Sequence, residues 1–103
     1  MKSKYNILIY PLAKNDMENI FQYIGDVLYN PAAALRLIRS FEKAFEHICL
    51  FPESCPYVQN ENVRDRTLRK LVVKKYIVFY RVRNQEIQVI RVLYGMRNYE
   101  ELL

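Results

Sequence analysis

At 103 residues, with 51% hydrophobic residues and 14% aromatics, the chain holds enough apolar matter to fill one core and too little length for a second domain, so residues 1–103 are expected to form one unit. Two Gly, four Pro and no acidic, Ser/Gly-rich or repeated tract exclude a disordered linker and a repeat array. Sixteen Lys+Arg against eleven Asp+Glu leave a net charge of +5, a balance that favours an anionic partner over a cationic one.

The first apolar run, Tyr5 to Leu12, reads as a strand with Ile7, Ile9 and Pro11 on one face and Leu8 and Tyr10 on the other. The apolar run within the first residues, about six long, is short of the roughly 7–15 residues of a secretory core and far below a membrane span, so the product is expected in the cytoplasm and off membranes. From about Ala13 the period changes. Met17, Ile20, Phe21, Ile24, Val27 and Leu28 form the stripe of an amphipathic helix, with Lys14, Asp16, Glu18 and Gln22 outside it. Asn30-Pro31 is a helix start, since Asn can cap free backbone N–H groups and Pro suits the first turn. The second helix carries Ala34, Leu37, Ile38, Phe41, Phe45 and Ile48 on one side, runs to about Leu50 and is stopped by Pro52. Two helices so briefly linked are expected to pack as an antiparallel hairpin.

Pro52 to Arg64 has no period and reads as a loop. Leu68–Val73, Tyr76–Val82 and Ile87–Tyr94 are rich in β-branched and aromatic residues, and the breaks between them are short enough for hairpins. Tyr99, Leu102 and Leu103 suggest a short terminal helix over Arg97–Leu103. The order β-α-α-β-β-β-α predicts an α+β fold, with the helical hairpin packed on one face of a small antiparallel sheet.

The basic surplus falls on these last strands. Arg64, Arg66, Arg69, Lys70, Lys74, Lys75, Arg81, Arg83, Arg91 and Arg97 are opposed there only by Asp65 and Glu86. Either this is a surface for nucleic acid or an acidic protein segment, or it is a solvated face. On the central strand Tyr76, Val78, Tyr80 and Val82 alternate with Ile77, Phe79, Arg81 and Arg83. If the helices cover the first set, the second is either an open cationic and aromatic face or a small second core of Ile77, Phe79, Ile90 and Val92 with arginines at its rim.

Conventional catalytic sets are thin. His47 lies inside a helix, no phosphate-cradling glycine loop or nucleophile elbow is present, and Cys49 and Cys55 have neither zinc nor redox spacing. Both are expected as reduced thiols, Cys49 in the core and Cys55 in a loop, and no cofactor or metal is called for. Phosphodiester cleavage by Arg, Lys and Tyr alone would draw on Lys70, Lys74, Lys75, Tyr76, Arg81, Tyr94 and Arg97.

The segments DMENIFQYI (16–24), LFPE (50–53), RKLVVKKYIVFYRV (69–82) and IRVLYGMR (90–97) together resemble the RelE/ParE superfamily of toxins from type II toxin–antitoxin modules, in the family's order and over nearly the whole chain. The resemblance implies the α+β fold, a growth-inhibiting activity and a cognate antitoxin, read here as an acidic, partly disordered segment with which the toxin forms an oligomeric complex. RelE-like members act as ribosome-dependent mRNA endonucleases, and ParE-like members are associated with poisoning DNA gyrase. The RNase branch commonly has arginine just after the central-strand tyrosine, where this chain has Ile77 after Tyr76, and places a catalytic tyrosine or histidine near its end, where this chain has Tyr99. Arg97 matches the arginine after the final strand. The ParE-like branch is therefore favoured, with DNA gyrase as target and Arg81, Arg91 and Arg97 as target contacts. The alternative is RNase action on ribosome-bound mRNA by Lys70, Lys74, Arg81, Tyr94 and Arg97.

Overall fold

The structure, a computed structural model, describes residues 5–103. Strand β1 (Asn6–Ile9) leads into helix α1 (Pro11–Gln22), which widens into a π-helical turn (Tyr23–Val27). Helix α2 (Pro31–Leu50) follows, then β2 (Arg69–Val73), β3 (Tyr76–Arg83), β4 (Glu86–Tyr94) and a 3-10 turn (Glu100–Leu102). The last three strands form the expected antiparallel meander. β1 pairs in parallel with β4, which makes the sheet mixed, with the order β1-β4-β3-β2. Among the described residues no helix is long and apolar enough to cross a membrane.

Local chemistry accounts for the helix boundaries. Pro11 occupies the first turn of α1, where no N–H is needed, so it opens the helix instead of lying on the strand face expected for it. The Asn30 side chain accepts a hydrogen bond from the Ala33 N–H at 3.1 Å, capping α2 as expected. The apolar stripe of α1 holds through Ile24 and then fails. At the π-turn Leu28 N–H bonds back to Tyr23 O, an i→i+5 closure that sets the following side chains off the stripe, and Val27 and Leu28 face solvent.

The hairpin packs on one face of the sheet. Met17, Leu37, Phe41 and Ile48 meet Val73, Val78, Tyr80, Ile87, Val89 and Val92 in the main core. Tyr80 is fully buried there and its hydroxyl donates to Pro52 O at 2.8 Å, tying the central strand to the end of α2. Both cysteines are thiols packed against this core, Cys55 included, although it lies in the loop.

The opposite face is a second core. Phe79 and Leu93 are covered by Val58, Val63 and Leu68 and flanked by Ile77, Ile90, Tyr99, Leu102 and Leu103. The loop that covers it is fastened to the chain's end: the Asn60 and Asn62 side-chain amides donate to the two Glu100 carboxylate oxygens at 2.9 and 3.0 Å. Val92, grouped with this second core in the alternative that the sequence offers, belongs to the helix side. A bulge at Phe79/Tyr80 makes Ile90 the extra residue, because Phe79 pairs with Arg91 while Tyr80 pairs with Val89. One additional residue inverts the alternation beyond it, sending Val92 to the helices and Leu93 to the second core.

Candidate functional site

Two of the arginines expected to touch a target have carboxylate partners inside the fold. Asp16, placed by the sequence on the wet side of α1, turns toward β4. It receives Arg91 Nε at 2.7 Å and Nη2 at 2.9 Å, and also the Val92 N–H at 3.0 Å. These bonds to Asp16 outweigh burial and push the Arg91 guanidinium up from its ordinary value. Arg81 donates to Asp65 at 2.7 Å and to Gln88 at 2.7 Å. Burial alone would raise the Asp65 carboxyl, but hydrogen bonds from the Thr67 side chain and backbone and from Arg81, with the Arg81 charge, hold it below the usual carboxylate range. Arg69 stacks on Tyr57 at 4.0 Å and donates to Cys55 O at 2.7 Å, pinning the loop to β2.

The remaining predicted residues are distributed along the sheet. Lys70 stands opposite Phe79, and Arg81 lies at the far end of β3. Lys74 and Lys75 form the β2–β3 turn, while Tyr94 pairs with Tyr76 at the near end. Arg97 is exposed in the turn after β4, its N–H bonded to Tyr94 O. From Tyr76 to Arg81 is five steps along β3, roughly 16 Å at strand rise. Lys74, Lys75, Tyr76 and Tyr94 are thus brought together, with Arg97 close in sequence, and Arg81 and Arg91 are not part of that group. Tyr99 packs on Phe79 with ring centroids 4.9 Å apart.

Two concavities meet at this near end. The larger, about 700 Å³, is a groove between the π-turn, α2 and the β2–β3 turn. Tyr23, Ile24, Leu28, Ala33, Leu37 and Tyr76 give it an apolar lining, and Arg36, Arg39, Lys43, Lys74 and Lys75 surround that lining. Beside it, Tyr29 is 87% exposed and sits at φ 51°, an unfavourable left-handed conformation for a bulky residue. The smaller, about 490 Å³, is a cup at the sheet's end formed by Val72, Ile77, Tyr94, Gly95 and Met96. It shares Lys74, Lys75 and Tyr76 with the groove. Tyr76 is the wall between them, its ring 6.2 Å from Phe41 on one side and 5.9 Å from Tyr94 on the other. Burial, and then the neighbouring Tyr94 and Tyr23 hydroxyls, push the Tyr76 hydroxyl up from its ordinary value.

Among the described residues the ion pairs are Arg81–Asp65 and Arg91–Asp16, so the cations around the groove and cup have no carboxylate within 4.0 Å. An apolar trough ringed by unpaired positive charge suits an amphipathic segment whose other face is acidic. Sequence reasoning centred on the strands and missed the α2 share of this charge. The signal was present in the chain: Arg36, Arg39 and Lys43 recur at i, i+3 and i+7, which sets three cations along one side of a helix next to the stripe containing Leu37.

The family described as the ParE toxin of type II toxin–antitoxin system, parDE, matches residues 7–99. Among solved structures, a chain from the chromosomal ParDE TA system of P. aeruginosa superposes with a TM-score of 0.72 at 19% identity, covering 90% of this chain and 98% of that one. At that identity the likeness shows the fold. No curated protein sequence matches the chain.

Proposed function

Because the chain belongs to the ParE toxin family of type II toxin–antitoxin systems, we propose that it arrests growth by acting on DNA gyrase and that a cognate antitoxin neutralises it. The observation that carries this reading is the family match over residues 7–99, which includes both helices and all of the meander. Ile77 supports the gyrase branch over the RNase branch: it stands where the RNase branch commonly has arginine, and its side chain packs against the second core instead of offering a charge to a phosphate. RNase action would also need Lys70, Lys74, Arg81, Tyr94 and Arg97 around one scissile bond. β3 separates Arg81 from Lys74 and Tyr94, and Arg81 is already held by Asp65.

The antitoxin reading rests on the groove. Its apolar lining and ring of unpaired Arg and Lys suit an acidic segment that is disordered when free and folds as it docks, since burial of Tyr23 and Leu28 offsets the cost of ordering. Replacing Leu28, 54% exposed, by glutamate should weaken antitoxin binding at least tenfold while the fold persists. Of the three arginines proposed as target contacts, Arg97 has its guanidinium free among the described residues, so the contact proposal rests chiefly on it.

Induced expression followed by growth measurement, and supercoiling assays with purified gyrase, test the reading. Growth arrest with loss of supercoiling is the expected result. Normal supercoiling at excess toxin would exclude gyrase, and mRNA cleavage on ribosomes would transfer the chain to the alternative branch.

A further inference from the structure

Resting on the reading of the chain as a toxin with a protein target, we propose that the cup at the end of the sheet is the surface that docks on that target. It takes a protein segment with an apolar anchor flanked by carboxylates.

Scattered apolar side chains on a surface are ordinary, but here Val72 at 65% exposure, Met96 at 84% and Tyr94 at 44% gather around one concavity. Lys74 and Lys75 stand on its rim, and Arg97 follows Met96 in the same turn, all three without a carboxylate partner among the described residues. Charge complementarity therefore selects an acidic partner. Val72, Ile77 and Met96 offer neither a stacking plane nor a donor to a base, so with the Tyr94 ring as one side the cup suits an apolar protein side chain better than a run of stacked bases.

The cup is built in advance. The Gly95 N–H donates to Lys75 O at 2.8 Å, clamping the end of β4 to the β2–β3 turn, and a Cβ at Gly95 would come within 3.2 Å of that same oxygen. Lys74 is held at φ 55° by the two-residue β2–β3 turn, a hairpin geometry that calls for positive φ and fixes the rim lysines relative to the strands. Because Lys74, Lys75 and Tyr76 also line the groove, a segment seated in the groove occupies the cations that the cup presents. Antitoxin and target thus compete for one turn without sharing the rest of their sites.

The test uses the full chain carrying Val72→Glu with Met96→Glu, compared with wild type and with Leu12→Glu, an equally drastic change at an exposed position outside both concavities. Gyrase supercoiling and growth after induction are both measured, with a thermal melt as the folding check. The double variant should need at least ten times more toxin to inhibit gyrase and should no longer arrest growth, while Leu12→Glu behaves as wild type. Equal inhibition and equal arrest by a folded double variant would overturn the proposal. If the double variant melts early, Val72→Lys with Met96→Gln decides the same question with a milder change. Wild type that arrests growth without touching gyrase, beside a silent double variant, would remove gyrase as target and keep the cup. Wild type that does neither overturns the toxin reading and the cup together. Retardation of a DNA duplex by the toxin alone, abolished in the double variant, would assign the cup to nucleic acid and overturn the protein occupant.

Discussion

Replacing Asp16 by alanine should destabilise the fold more than any surface substitution of similar size. Asp16 receives Arg91 Nε and Nη2 and the Val92 N–H, and the Asp16 and Arg91 side chains are only 12% and 14% exposed. Removing one partner of a buried ion pair costs about 3–5 kcal/mol, because the other charge stays desolvated. Residual exposure at both ends, and a long 3.4 Å bond from Arg91 to Leu102 O that survives the change, reduce this to about 2–4 kcal/mol. For a domain of this length each kcal/mol lowers the melting temperature by about 4–6 °C, so the transition should fall by roughly 10–20 °C. Urea unfolding followed by circular dichroism gives the free energy directly. Asp16→Asn keeps an acceptor for Val92 and should lose about half as much. The double variant Asp16→Ala with Arg91→Ala should cost less than the sum of the single changes, by about 1.5–3 kcal/mol. A loss below about 0.5 kcal/mol for Asp16→Ala, or additive single changes, would refute the reasoning that Arg91 is committed to the fold.

Tyr80→Phe should cost about 1–2 kcal/mol in the same assay, since the buried Pro52 carbonyl loses its donor without any change in core volume. Asp65→Asn should cost about 1 kcal/mol at neutral pH. Because the folded chain holds the Asp65 carboxyl below its ordinary value, this contribution is full above that value and is lost as pH falls through the lowered one, so the two proteins should converge in acid; a constant gap across the titration would contradict it. Gln85→Gly should stabilise by about 0.5–1 kcal/mol, because Asn84 and Gln85 both hold positive φ, at 50° and 62°, in the two-residue β3–β4 turn, and a glycine meets no steric penalty there; an unchanged unfolding midpoint would show that the turn carries no such strain.

The resemblance is legible in the chain because it lies in contiguous segments whose local rules are strong. Asn30-Pro31 starts a helix wherever it stands, Pro52 ends one, and the alternation through RKLVVKKYIVFYRV makes a hairpin of any sheet it joins. Candidate site residues are partly legible in the same way. Lys74, Lys75, Tyr76 and Tyr94 stand out as chemistry-bearing residues, and the hairpin register brings them to one end of the sheet. Arg36, Arg39 and Lys43 are legible in their spacing, but the density of charge on the strands masks this sparser row on a helix.

Sequence by itself therefore settled the two long helices and the meander, since those follow from periodicity and chain breaks within a few residues of each other. Tertiary structure alone decided which cations are free. A bulge at Phe79/Tyr80 inverted the facing of Val92, Asp16 reached 75 residues along the chain to Arg91, and Asp65 closed on Arg81. Each is a long-range pairing chosen by the shape of the packed core, to which local pattern is blind. The same packing set the groove and the cup on either side of Tyr76.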